Sequence, residues 1–307
     1  MYTLDDLLFP VKKVETESLG LKSIGSTEFS IVGTINGRRT LLNSCSNVYE
    51  LVANSEIFPV IEDKLRNAGI KFTAKYRMNE FTRFEVDYIL WVDPVVLPNG
   101  DKIYPVLKVK HSYNGLLKYK LTFGYYRVIC SNGLVVPVEG KENFTVTGKH
   151  TAKILESLLH LEEQLNNFLT RQEEYAQNFR VMGDNWIENW NDRLLDVIIV
   201  SGVGKRGYQQ ITDKIAQESD KLYKGEVNDW LLYNGVNFHL FNARTKPTED
   251  FPLGKEYATE NHLREANDKT VFETLLNNDE KQLRRMAKKV DPQEKMRLAI
   301  VGGESED

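Results

Sequence analysis

The 307-residue chain holds only two cysteines, Cys45 and Cys130, far apart and in no C-x-x-C pair. That scarcity argues against a disulfide framework or a zinc-cysteine site and makes a reducing cytoplasm the default compartment. Long apolar runs are also missing, and none approaches the ~18–20 residues of a membrane-spanning helix, so no membrane partner is expected. The opening Met1–Lys13 is acidic and short of apolar length, unlike a secretory leader. Five histidines, His111, His150, His160, His239 and His262, are scattered with no H-x-x-x-H or H-E-x-x-H spacing, so no metal ligand set is expected. No cofactor motif stands up either. Gly202, Gly204 and Gly207 fit G-x-G-x-x-G, but the preceding run from Trp186 has helical periodicity, whereas a dinucleotide site needs a strand there. Nor does a Ser or Thr follow Lys205 as a phosphate loop requires.

What is present is an ordinary apolar share of 41% and a net charge of −4. The charge is unevenly spread. Residues 64–127 contain twelve Lys or Arg against five Asp or Glu, which predicts one basic face on an otherwise acidic molecule.

Residues 1–25 read as an entry segment. From 26 onward short β-rich pieces surround turn signals. Phe29–Val32 and Arg39–Leu42 flank Asn36-Gly37, a strong hairpin signal, and Ser46-Asn47 reads as a helix cap before a helix over 56–69. Between 71 and 110 the apolar period is two, as in Phe72, Ala74, Tyr76, Met78 and then Phe84, Val86, Tyr88, Leu90, which describes a sheet with one buried face and one wet face. Asn114-Gly115 and Asn132-Gly133 predict two further tight turns in an antiparallel meander. After Pro137 the period becomes helical: one long helix over 151–180, others over 185–200 and 208–223, and a fourth opening at Asp229. Strands followed by helices predict an α+β fold: a single domain over 26–245, with a twisted antiparallel sheet at 26–140 and helices at 150–245 packed on it. The stretch 246–307 is charged and contains proline, and reads as a partly mobile extension with a short helix near 270–289.

Within the middle of the chain, Ser112, Asn114 and Gly115 form a turn, and Arg127 leads into Cys130-Ser131-Asn132-Gly133. About a hundred residues on comes Trp230, with Tyr233, Asn234 and Val236 after it. This combination resembles a phage- and plasmid-encoded family catalogued as domain of unknown function 932. Gly235 stands where that family usually has Ala. The resemblance implies a mobile-element setting in a bacterial host cell and supplies no activity.

The basic middle carries the functional expectation. Lys108, Lys110, Lys118, Lys120 and Arg127 are interleaved with Tyr113, Tyr125 and Tyr126, and Lys71, Lys75, Arg77 and Arg83 with Phe72, Tyr76, Phe81 and Phe84. Cations neutralise phosphates and flat rings stack on bases, a combination suited to single-stranded DNA. Alternation offers a plainer reading, with the rings on one face building the core. Cys130 reads as a small buried hydrophobe rather than a nucleophile, since nothing places a base beside it. The leading expectation is a non-catalytic single-stranded-DNA binder, a strand-annealing or replication accessory factor, which assembles as a homo-oligomer through the 151–180 helix. One alternative is a metal-dependent nuclease using Glu85, Asp87 and Asp93. Another is a phage structural or host-interaction protein without nucleic acid.

Overall fold

A computed structural model describes residues 2–23, 25, 27–97, 100–127, 145–148, 153–201, 205–242 and 268–277. The architecture is α+β, with antiparallel sheets and a helical half. In place of one unit over 26–245 the chain divides into two. Unit 1 comprises Met1–Pro94, Tyr104–Tyr126 and Val138–Arg171; unit 2 comprises Val95–Ile103, Arg127–Pro137 and Gln172–Asp307.

Unit 1 opens with a short helix, α1 (Leu4–Leu7), and then strand β1 (Val11–Glu15). The supposed entry segment is therefore structural, because β1 pairs antiparallel with β2 (Phe29–Ile35). β2 turns back into β3 (Arg38–Cys45) through Asn36 and Gly37, whose φ values of 51° and 75° are those of a type I′ turn. These three strands make a sheet of their own, so the strands of 26–140 are not all in one sheet.

Helix α2 (Asn54–Asn67) does not start from Ser46-Asn47. Its first turn is held by Glu56, whose carboxylate accepts the Ala53 N–H at 2.8 Å. It stops at Gly69, where φ is 70° and the Ile70 N–H reaches back to the Leu65 carbonyl, a Schellman ending.

The second sheet runs β4 (Phe72–Asn79), β5 (Arg83–Leu90), β7 (Lys102–Ser112), β8 (Tyr119–Arg127) and β9 (Thr145–Gly148), with a short β6 (Val95–Val96) pairing with the start of β7. The period of two sorts its side chains cleanly. Phe84, Val86, Tyr88, Leu107, Val109, Leu121 and Phe123 point inward and are buried. Helix α2 supplies Ile57, Phe58, Ile61 and Leu65 to the same core, and α4 (Leu161–Thr170) supplies Leu161, Leu165 and Phe168. Phe168 stacks on Phe123 at 5.1 Å between ring centroids. The opposite sheet face carries the charged residues.

The single helix expected over 151–180 is three: α3 (Lys153–Leu159), α4 and α5 (Gln172–Asp184), interrupted at His160 and Arg171. An apolar repeat of three and four continues through a one-residue break, so periodicity alone does not reveal it. That removes the long unbroken helix on which the oligomer expectation leaned.

Unit 2 is built from α5, α6 (Trp190–Ser201), α7 (Lys205–Leu222), α8 (Asp229–Asn242) and a further helix over 268–276. α6, a helix, precedes Gly202, so the dinucleotide motif lacks its strand, as expected. α8 is capped by Asn228, whose Oδ1 accepts the Leu231 N–H at 3.0 Å while its Nδ2 donates to the Gly183 carbonyl. Residues 227–237 are buried without interruption. The helix at 268–276 is packed rather than mobile: Val271, Phe272 and Leu275 are buried, and Phe272 meets Tyr233 and Phe179 edge-on. The rest of 246–307 lies outside the described residues.

Candidate nucleic-acid interface

On the wet face of the second sheet, strand register gathers a charged set that belongs to unit 1. Lys75 sits opposite Asp87 and Arg77 opposite Glu85 across β4 and β5. On the other side of β5, Asp87 faces Lys108 and Glu85 faces Lys110. Lys120 shares this face by its parity with Tyr126, whose hydroxyl lies 2.7 Å from Lys75 Nζ. Lys75, Arg77, Lys108, Lys110 and Lys120 thus share one face with Glu85 and Asp87, and exposed Lys118 stands just before β8.

The carboxylates are not idle. Arg77 Nη2 donates to Asp87 Oδ2 at 2.8 Å, and its Nε lies 3.5 Å from Glu85. Burial works to raise the pKa of Asp87, but Lys108 and Arg77 outweigh it and hold the carboxyl below its usual range. Burial pulls the Lys108 ammonium down, and the attraction of Asp87 only partly offsets it. Arg77 also resists a desolvation penalty, and its two carboxylates keep its pKa raised.

The other end of the face is aromatic. Ile89, Val106 and Tyr126 form a small cluster with Tyr104 packed against it, and Trp91 meets Tyr104 edge-on at 4.9 Å. Lys75 Nζ lies 4.5 Å over the Tyr126 ring, so the cationic and aromatic ends are continuous.

The expected stacking rings are elsewhere. Tyr113 is buried among Phe9, Phe84 and His111, and its hydroxyl accepts the Asn54 N–H at 2.8 Å. Tyr125 is buried against Phe168, and Tyr126, though on the wet face, is covered. None of the three offers a face to a base; their rings are core because a sheet of this size needs the apolar area. Arg127 also lies off the expected face. It keeps the inward parity of Tyr119, Leu121, Phe123 and Tyr125 and is fully buried in unit 2. There its Nε donates to Asp101 Oδ2 and its Nη1 to Glu218 Oε2, both at 2.5 Å. Lys108, Lys110 and Lys120 are half-buried and Lys118 is exposed. The residues missed from sequence are Trp91 and Tyr104, whose parity with Asp87 and Lys108 was a sufficient signal.

Ser112, Asn114 and Gly115 form a loop rather than a two-residue turn. The Ser112 hydroxyl both accepts the Leu117 N–H and donates to the Leu117 carbonyl, at 3.0 and 2.8 Å. Asn114 accepts the Leu116 N–H and donates to Thr82, while Gly115 takes φ 71°. Cys130, Asn132 and Gly133 lie outside the described residues. Trp230 and Asn234 are structural: the Trp230 indole donates to the same Asp101 oxygen that Arg127 holds, and Asn234 Nδ2 donates to the Trp230 carbonyl. Glu85 and Asp87 share a face, while Asp93 lies exposed beyond the end of β5. Among the described residues no group of three His, Cys, Asp or Glu is placed to hold a metal ion, and no helix is long and apolar enough to cross a membrane.

Searches of curated proteins and of solved structures find no match to this chain. The family model described as a domain of unknown function (DUF932) matches residues 41–250, well over half the chain, and spans Ser112, Arg127 and Trp230. On that extent of match the chain belongs to the DUF932 family.

Proposed function

We propose that this protein binds nucleic acid, without catalysis, through the wet face of the second sheet. The observation that carries the reading is the gathering of Lys75, Arg77, Lys108, Lys110 and Lys120 on one face with, among the described residues of these strands, Glu85 and Asp87 as its carboxylates. Cations spaced along neighbouring strands suit the repeating charge of a phosphate backbone. Buried Arg127 contributes nothing to that face, and Lys75 and Arg77 replace it. The nuclease alternative is less favoured, because Glu85 and Asp87 both turn toward Arg77. A replication or strand-annealing accessory in a phage or plasmid setting is the wider role such binding would serve.

The test is fluorescence anisotropy with a labelled oligonucleotide across a salt series, on protein freed of bound nucleic acid. Five phosphate contacts predict a log–log slope near −3.5, at about −0.7 per contact for a single strand. Replacing Lys118 and Lys120 together by Ala tests two positions of that set and its rim, and Lys120→Ala alone should flatten the slope by about 0.7. Absence of binding at about 50 mM salt would sink the reading.

A further inference from the structure

We infer that Trp91 seats one unpaired base at the end of the basic face, which makes a single strand rather than a duplex the ligand. This rests on the proposed binding face and narrows what it takes. Among the described residues Trp91 is the large ring left open on this face, with 42% of the residue exposed. An isolated exposed apolar residue is ordinary, but this one is held in place. Its indole N–H donates to Thr73 Oγ1 on β4 at 2.9 Å, and its ring abuts Tyr104 on β7 with planes at 71°. The backbone N–H is also fixed, to the Lys71 carbonyl at 2.8 Å. With the N–H satisfied, the open part of the side chain is carbon surface with no polar demand. Its neighbours decide the occupant. A protein side chain has no need of the cations that continue from Tyr126 through Lys75, whereas a nucleotide presents a flat apolar ring and an anion on one residue. In a duplex the base faces are already stacked on one another, so only an unpaired base can use the seat.

Two probes separate this from the reading beneath it: an oligothymidylate of about twelve nucleotides and an abasic strand with the same phosphates. The wild-type protein should bind the base-bearing strand at least about five-fold tighter, the low end of a single stacking contact. Trp91→Ala should bring that ratio toward one with the salt slope unchanged, and Trp91→Phe should keep most of it. Equal wild-type binding of both strands with a full salt slope would overturn the seat and leave the basic face standing. An undiminished preference in a folded Trp91→Ala protein, or tighter binding of a matching duplex, would overturn the seat as well. Failure to bind either strand would remove the basic-face reading and the seat with it.

Discussion

Two guanidinium groups, one in each unit, are held by a pair of carboxylates. Arg77 meets Glu85 and Asp87 with 49% of its side chain in solvent, while Arg127 meets Asp101 and Glu218 with none. The chemistry is the same and the consequence is opposite. A half-exposed guanidinium keeps contact with water whichever anion it holds, and buried Asp87 also faces Lys108, so Arg77 can trade a carboxylate for an incoming phosphate. Out of water, removal of one partner strands the others, so Arg127 is committed to the fold. Of the two, the arginine within the sequence motif is the buried one, and that makes it a structural signature.

The comparison breaks most readily at Arg127. Arg127→Ala leaves two buried carboxylates with less compensation and should cost about 3–5 kcal/mol, more than Arg77→Ala, after which buried Asp87 still faces Lys108. Urea denaturation of both variants measures this, and equal losses would abolish the distinction. Next comes the packing around the buried centre. A Cβ on Gly235 of α8 would lie 2.8 Å from the Ile215 side chain of α7. Overpacking costs about 1–3 kcal/mol, and Ala regains about 1 kcal/mol of helix propensity, so Gly235→Ala should lose up to about 2 kcal/mol net. In an Ile215→Ala background the same change should become stabilising, and a loss that persists there would show that the close approach is not the cause.

The smallest effect concerns the carboxylate beneath Arg77. Asp87 has its folded pKa below its ordinary value of 3.8, so its contribution is present above that value and fades as pH falls through the folded one. The difference in Tm between wild type and Asp87→Asn should therefore shrink as pH drops from about 5 to about 3. A constant difference would place the stabilisation of Asp87 in its shape rather than its charge.

Where a local rule has no competitor, the sequence was legible. Asn36-Gly37 makes the hairpin expected of it, the period of two sorts the second sheet, and α8 begins at Asp229. Asn114-Gly115 reads identically but forms a longer loop, because Ser112 and the Asn114 side chain take over backbone hydrogen bonds that a tight turn would have made. The basic face was legible as charge and mislaid as geometry. Parity already set Arg127 apart from Lys118 and Lys120, and it placed Trp91 with Asp87. Tyr126 was beyond parity, since only the neighbouring Lys75, Ile89 and Val106 reveal that its ring is covered. The helix at 268–276 falls where a short one was expected near 270–289, but its packing was not legible, because its long-range partners Tyr233 and Asn237 cannot be read from local sequence.

That last helix bears on how the chain can acquire its structure. α8 lies within the family match, yet Asp268 accepts hydrogen bonds from Tyr233 and Asn237, and Phe272 covers Tyr233, from positions beyond residue 250. During synthesis from the N-terminus, α8 emerges before its cover exists and has no polar side to show to water in the meantime. The segment recognisable as the family domain is therefore shorter than the segment that must be present for unit 2 to finish folding.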